Sequence, residues 1–192
     1  MHWNQQHFEA CLAGRKVNPL TTTRHAAVAA LIRFDTPAEP EVLLMRRADR
    51  EGDPWSGQIC FPGGKKEEHD LDLLATAHRE TREELGFDLS QIANYLGPLD
   101  PLHAMSKGKR LSTGIEPFVF LQTQAPEIVM SEEAVDTFWM PLRSAQAGEF
   151  DCVYPYRSES HSIDLPAWRF QEQVIWGLTF QMLKSMLKLL SC

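Results

Sequence analysis

Cysteine is scarce in this chain: four residues in 192, at positions 11, 60, 152 and 192, with no C-x-x-C pair. That scatter excludes a disulfide framework and a thiolate zinc site, and leads us to expect reduced thiols in a cytoplasmic protein. Long apolar runs are missing too, and none approaches the roughly 20 residues a membrane-crossing helix needs. The first residues, Met1-His2-Trp3-Asn4-Gln5-Gln6-His7, have neither a basic start nor an apolar core, so no signal peptide is expected. Basic charge is in deficit. Lys and Arg number 19 against 26 Asp and Glu, a net charge of −7, which argues against generic nucleic-acid binding. An anionic substrate must then be captured locally, by metal ions and a few basic side chains. The seven histidines show no H-E-x-x-H or paired ligand spacing, so none is assigned to a metal. Internal repeats and low-complexity segments are absent.

What is present is an ordinary globular composition, 43% hydrophobic and 23% charged, over a length suited to one domain spanning residues 1–192. Residues 1–24 read as an N-terminal extension, with a short helix over Phe8 to Leu12 and a polar connector from Arg15 to Thr23. Ala26 to Ile32 suits a buried strand. Asp35 to Pro40 suits a turn, and Glu41 to Arg46 its hairpin partner. Asp49 to Ser56 is a charged loop. Further strands are expected at Gly97 to Leu102, Pro117 to Leu121 and Ser162 to Leu165, with a loop from His103 to Arg110. Ser131-Glu132-Glu133-Ala134 reads as an acidic helix start. Val174 to Leu190 reads as an amphipathic helix with Lys184 and Lys188 on its wet side. Mixed α/β architecture follows.

The richest stretch is Arg79-Glu80-Thr81-Arg82-Glu83-Glu84-Leu85-Gly86-Phe87. Asp72 is a good N-cap and Gly86 a good C′ residue for a helix ending at Leu85, with Leu73, Leu74, Ala77, Thr81 and Leu85 as its inner stripe. Glu80, Glu83 and Glu84 stand at i, i+3 and i+4, and so share one helix face. Anions that close raise one another's pKa, and a divalent cation relieves the repulsion. Oxygen-only ligands suit Mg²⁺ or Mn²⁺ rather than zinc. A solvated acidic face is the plainer meaning of such a run. Upstream, however, stands Phe61-Pro62-Gly63-Gly64, whose glycines allow a tight turn and expose backbone groups to a ligand. A glycine-rich loop feeding an acidic helix suits a metal-bound pyrophosphate.

Residues 61–87 resemble the Nudix box, G-x5-E-x7-R-E-U-x-E-E-x-G-U, with U a bulky apolar residue. Gly64 and the run from Arg79 to Phe87 carry the resemblance. Asp70 stands in place of the first glutamate, eight residues rather than seven separate it from Arg79, and Thr81 occupies a position that is usually aliphatic. Ser56 to Gly64, Phe138 to Leu142 and Ile175 to Thr179 are similar to landmarks of the coenzyme A pyrophosphatase branch. The signature of that branch, L-L-T-x-R-[SA]-x3-R-x3-G-x3-F-P-G-G, is matched by Leu43, Leu44, Arg47 and Ala48 and again by Gly57 and Phe61 to Gly64. Met45 replaces its threonine, and its second arginine falls on Gly52 or Asp53.

The resemblance implies an αβα sandwich with a mixed β-sheet and a long C-terminal helix. It implies Mg²⁺- or Mn²⁺-dependent hydrolysis of a nucleoside diphosphate linked to another moiety. ADP-ribose or a nucleotide sugar is favoured over coenzyme A, because the second arginine is displaced. It implies Glu80, Glu83, Glu84 and the carbonyl of Gly64 as metal ligands, with Glu80 and Glu84 foremost. Arg79 is expected to orient a carboxylate, and Asp70 either to support the ligands or to cap the helix. Arg47, Gln58, Gly63 and Gly64 are the substrate-binding candidates. Glu133, with Glu132, stands where a later loop supplies a general base, or else is simply a helix-start acid. Lys107, Lys109 and Arg110 either grip phosphate or line a solvated loop. Trp55 either stacks on a base or packs on its loop, and Trp139 and Trp176 are expected in the core. A homodimer is common in the family. Two other classes remain beside this reading: a Nudix-fold module that senses a nucleotide without cleaving it, and a structural α/β protein with an acidic surface helix.

Overall fold

Small and branched residues from Ala26 to Ile32 form the heart of β1 (Arg24–Thr36), the strand around which the sheet is built. The computed structural model describes residues 3–36, 39–106, 109–157 and 162–191. On one side β1 pairs antiparallel with β2 (Glu39–Arg47), with Ile32 opposite Val42. On the other it runs parallel to β7 (Lys109–Gln122), with Ala27 opposite Glu116. Other strands extend this frame. β3 (Ile59–Cys60) and β8 (Ala134–Pro141) add to β2, β4 (Gly63–Lys65) adds to β1, and β5 (Ala93–Pro98) and β6 (Leu102–Ser106) add to β7. A second, three-stranded sheet has the order β11 (Gln173–Ile175), β10 (Ser162–Phe170), β9 (Asp151–Arg157).

Strand alternation sends neighbouring side chains to opposite faces. Ala27, Ala29, Leu31, Leu43 and Met45 pack with Ala77, Leu85 and Leu89 of α2 (Leu73–Leu85) and α3 (Leu89–Ile92). Ala30, Ile32, Val42 and Leu44 pack on the other face with α1 (Gln5–Leu12), α4 (Leu142–Ala147) and α5 (Gly177–Leu189). The layers are therefore the αβα sandwich expected, with a mixed sheet and a C-terminal helix. Among the described residues no helix is long and apolar enough to cross a membrane.

Several local expectations are corrected. Gly97 to Leu102 is not one strand; β5 ends at Pro98 and β6 begins at Leu102, with a register shift between Tyr95 and Gly97. His103 to Ser106 and Lys109 to Arg110 are strand rather than loop, Met105 opposite Arg110; Lys107 and Gly108 lie outside the described residues. Ser131 to Ala134 starts no helix. Glu132 and Glu133 form a turn into β8, whose Thr137, Phe138 and Trp139 find partners on β2. The final helix starts at Gly177, since Val174 is claimed by the β10 ladder. Asp35, Thr36, Glu39 and Pro40 are strand residues, since β1 reaches Thr36 and β2 starts at Glu39. Trp3 and Trp168 are the buried tryptophans, whereas Trp139 and Trp176 are half-buried.

Candidate active site

The helix that carries the acids is fixed at both ends by its own residues. Asp72 Oδ1 accepts the Ala75 N–H at 2.8 Å. Gly86 adopts a left-handed backbone with φ +79°, and its N–H reaches the Arg82 carbonyl. Asp70 is therefore not the cap. Its buried carboxylate accepts Arg79 Nε and Nη2 at 2.9 Å each, Thr76 Oγ1 at 2.9 Å and the Glu67 N–H at 2.9 Å. Arg79, only 9% exposed, also donates through Nη1 to Glu80 at 3.0 Å and Glu83 at 2.8 Å, and through Nη2 to the Lys65 carbonyl. The guanidinium beside Asp70 holds that carboxyl well below the usual range, and the Asp70 hydrogen bonds in turn raise Arg79. Asp70 thus carries the charge of the glutamate it replaces and spends it on the arginine.

Gly63 and Gly64 meet the acids directly. β4 pairs with β1, Gly64 opposite Ala27, and Ala29 N–H binds the Pro62 carbonyl, so the turn is pinned by main chain. Gly63 has φ +148°, and a Cβ there would stand 2.3 Å from the Ala27 carbonyl oxygen. A Cβ on Gly64 would stand 2.5 Å from both carboxylate oxygens of Glu80. Glu84 is 2% exposed, and its Oε2 accepts the Gly63 N–H at 2.7 Å. Burial pushes the Glu84 carboxyl up to about 8; the Gly63 bond opposes this, and the charges of Glu80 and Glu133 add to it. Burial raises Glu80 as well, against the pull of Arg79. Glu83 is different. It turns to Arg79 and is largely exposed. The three glutamates share a helix face, yet only Glu80 and Glu84 converge on the glycine turn. Among the described residues no three acids, histidines or cysteines are grouped so as to hold a metal ion as they stand.

A loop and a turn wall the acid pair. Arg47 Nη2 bonds Asp53 at 2.8 Å, Asp53 accepts the Trp55 N–H, and Gln58 Nε2 donates to the Pro54 carbonyl at 3.2 Å. Arg47 and Gln58 therefore hold the loop at 49–56 in shape. Trp55 Nε1 donates to the Met105 carbonyl, docking the same loop on the β6–β7 hairpin. Glu133 accepts the Ala48 N–H on its carbonyl at 2.8 Å, while its side chain pairs with Arg50. Its charge reaches both Glu80 and Glu84. Lys109 and Arg110 lie on β7, Arg110 against His103. Sequence reasoning missed Arg50 and Asp53, since only the folded loop shows which charges meet; Asp70 was signalled by its place in the box.

The residues fit a hard divalent cation. Their donors are carboxylate and carbonyl oxygens, two of the carboxyls are destabilised as anions, and the absence of a side chain on Gly64 lets the Glu80 carboxylate lie against its backbone.

The chain is similar to known proteins in sequence and in fold. The family model of the NUDIX domain matches residues 23–155. An uncharacterized Nudix hydrolase NudL of Yersinia pestis is 34% identical over 169 residues, covering 82% of this chain and 75% of that protein. An uncharacterized protein of Schizosaccharomyces pombe, C14C4.10c, is 33% identical over 145 residues, covering 66% of this chain; the match spans 44% of that longer protein. The crystal structure of a MutT/nudix family protein from Enterococcus faecalis has the same fold at a TM-score of 0.55 and 14% identity, covering 89% of this chain and 63% of that one. On the domain match, the NudL likeness and the glycine-and-glutamate turn together, the chain belongs to the Nudix hydrolase family.

Proposed function

We propose that this protein is a Mg²⁺- or Mn²⁺-dependent pyrophosphohydrolase that cleaves a nucleoside diphosphate linked to another moiety and releases a nucleoside monophosphate. The observation that carries this reading is the convergence of Glu80 and Glu84 on the Gly63–Gly64 turn. Glu80, Glu84 and the Gly64 carbonyl would hold the cation, with Glu83 joining on release from Arg79. When bound, it would neutralise phosphate charge and lower the pKa of the attacking water. Arg79, fixed by Asp70, orients Glu80 and Glu83. The Gly63 N–H fixes Glu84. Glu133 takes the water proton. Arg47 and Gln58 act on substrate through the loop they shape.

ADP-ribose or a nucleotide sugar is the favoured substrate class, because the position of the missing arginine is filled by Gly52 and by Asp53, whose carboxylate is spent on Arg47. A coenzyme A substrate is the second reading. Two segments resembling that branch touch: Thr179 Oγ1 donates to the Ile59 carbonyl at 2.8 Å. A panel of ADP-ribose, nucleotide sugars and coenzyme A, assayed in Mg²⁺ for released monophosphate, tests both. Turnover should vanish in EDTA and in Glu84→Gln. A variant as active as wild type removes the site assignment, and exclusive turnover of coenzyme A reverses the order of substrates.

A further inference from the structure

Arg50 is the one guanidinium of the 49–56 loop held by a residue of the opposite wall. Its Nη1 lies 3.2 Å from Glu133 Oε1, and the two side chains are 48% and 46% exposed. The backbones beneath are fixed, because Ala48 N–H binds the Glu133 carbonyl and Arg47 faces Ala134 across the β2–β8 ladder. Glu133 is close enough to Glu80 and Glu84 for its charge to act on both. Arg50 therefore stands one side chain away from the acid pair.

Two neighbouring guanidiniums are committed elsewhere. Arg79 is buried against Asp70, Glu80, Glu83 and the Lys65 carbonyl. Arg47 is tied to Asp53. An ion pair as exposed as Arg50–Glu133 stabilises little, so it opens at little cost. The Arg50 fork suits two oxygens of one phosphate, and such a contact is stronger than a single carboxylate oxygen at 3.2 Å.

We propose that Arg50 is the residue of this chain that grips the substrate's pyrophosphate, and that it rests on Glu133 until the anion arrives. The exchange of partners then frees the Glu133 carboxylate to face the acid site. Proton acceptance is thereby coupled to substrate occupancy. This inference rests on the reading of Glu80 and Glu84 as the pyrophosphate site.

The test is calorimetric, with Mn²⁺ alone and then inorganic pyrophosphate at saturating Mn²⁺ as probes. Arg50→Ala should bind Mn²⁺ as tightly as wild type or more so, since a neighbouring positive charge is gone. It should bind pyrophosphate about tenfold or more weakly. Arg50→Lys keeps the charge but not the fork, and should fall between. Glu133→Gln removes the resting partner, so pyrophosphate should bind at least as tightly as to wild type. Unchanged pyrophosphate affinity in Arg50→Ala with intact Mn²⁺ binding overturns the proposal and leaves the acid site standing. Weaker binding in Glu133→Gln overturns the exchange. Wild-type protein that takes up no Mn²⁺ overturns both readings. Should Arg50→Ala fail to fold, wild-type affinity in Arg50→Lys is the overturning result.

Discussion

Glu84 should make the protein less stable as pH rises whenever divalent cations are withheld. Its carboxyl has an ordinary value of 4.5 and is pushed up to about 8 in the fold, chiefly by burial. The folded chain therefore keeps a proton that the unfolded chain loses. Stability from this residue is complete below pH 4.5, falls through the interval and is gone above pH 8. The loss accumulates at about 1.4 kcal/mol per pH unit, which amounts to about 3 kcal/mol at pH 7. Glu84→Gln keeps an oxygen for the Gly63 N–H and removes the titration. In EDTA at pH 7 it should melt roughly 6–12 °C above wild type, at about 2–4 °C per kcal/mol for a chain of this length. The advantage should disappear near pH 4.5, and other titrating groups cancel in the comparison. Mn²⁺ should cancel most of that advantage, since cation at 100 times its dissociation constant stabilises wild type by about 2.7 kcal/mol and the variant by far less. Melting curves by circular dichroism at both pH values, with EDTA and with Mn²⁺, decide the matter. A variant no more stable than wild type at pH 7 in EDTA, or equally favoured at both pH values, would refute the claim that burial holds a proton on Glu84.

Asp70→Asn should cost about 3–5 kcal/mol by removing the buried carboxylate that pairs with Arg79 Nε and Nη2, read as a shift in urea midpoint. Because the Asp70 carboxyl is held low, its stabilisation is present above the ordinary aspartate range and fades as acid protonates it, so the Asn variant should show a shallower acid-unfolding limb. Gly64→Ala should keep the fold while displacing Glu80, and calorimetry should find Mn²⁺ binding weakened; unaltered binding would remove Gly64 from the site. Cys60 has its thiol pushed up to about 12 by burial, so a disulfide-exchange reagent at pH 8 should leave it unmodified in native protein and label it after denaturation.

The parts of this molecule that could be read from sequence are those whose causes are local. Asp72, the 3.6-residue apolar stripe and Gly86 all act within one helix, and α2 begins and ends where they place it. The glycine turn belongs to the same class, since Gly63 adopts a backbone that other residues avoid. What escaped depends on partners distant in the chain. Ser131 to Ala134 carries helix-start chemistry, but the next residues complete a ladder on β2, and sheet pairing outweighs a weak local preference. The same competition took Val174 from the last helix for β10. At the site, helical spacing correctly put Glu80, Glu83 and Glu84 on one face, but a face is not a centre. Arg79 donates to Glu80 and Glu83, and its hold on Glu83 leaves Glu80 and Glu84 to the glycines. That division follows from Asp70 drawing Arg79 inward, nine residues away and across a loop. Spacing on a helix thus names the residues that share a face, while the charge that is buried among them decides which ones meet the glycine turn.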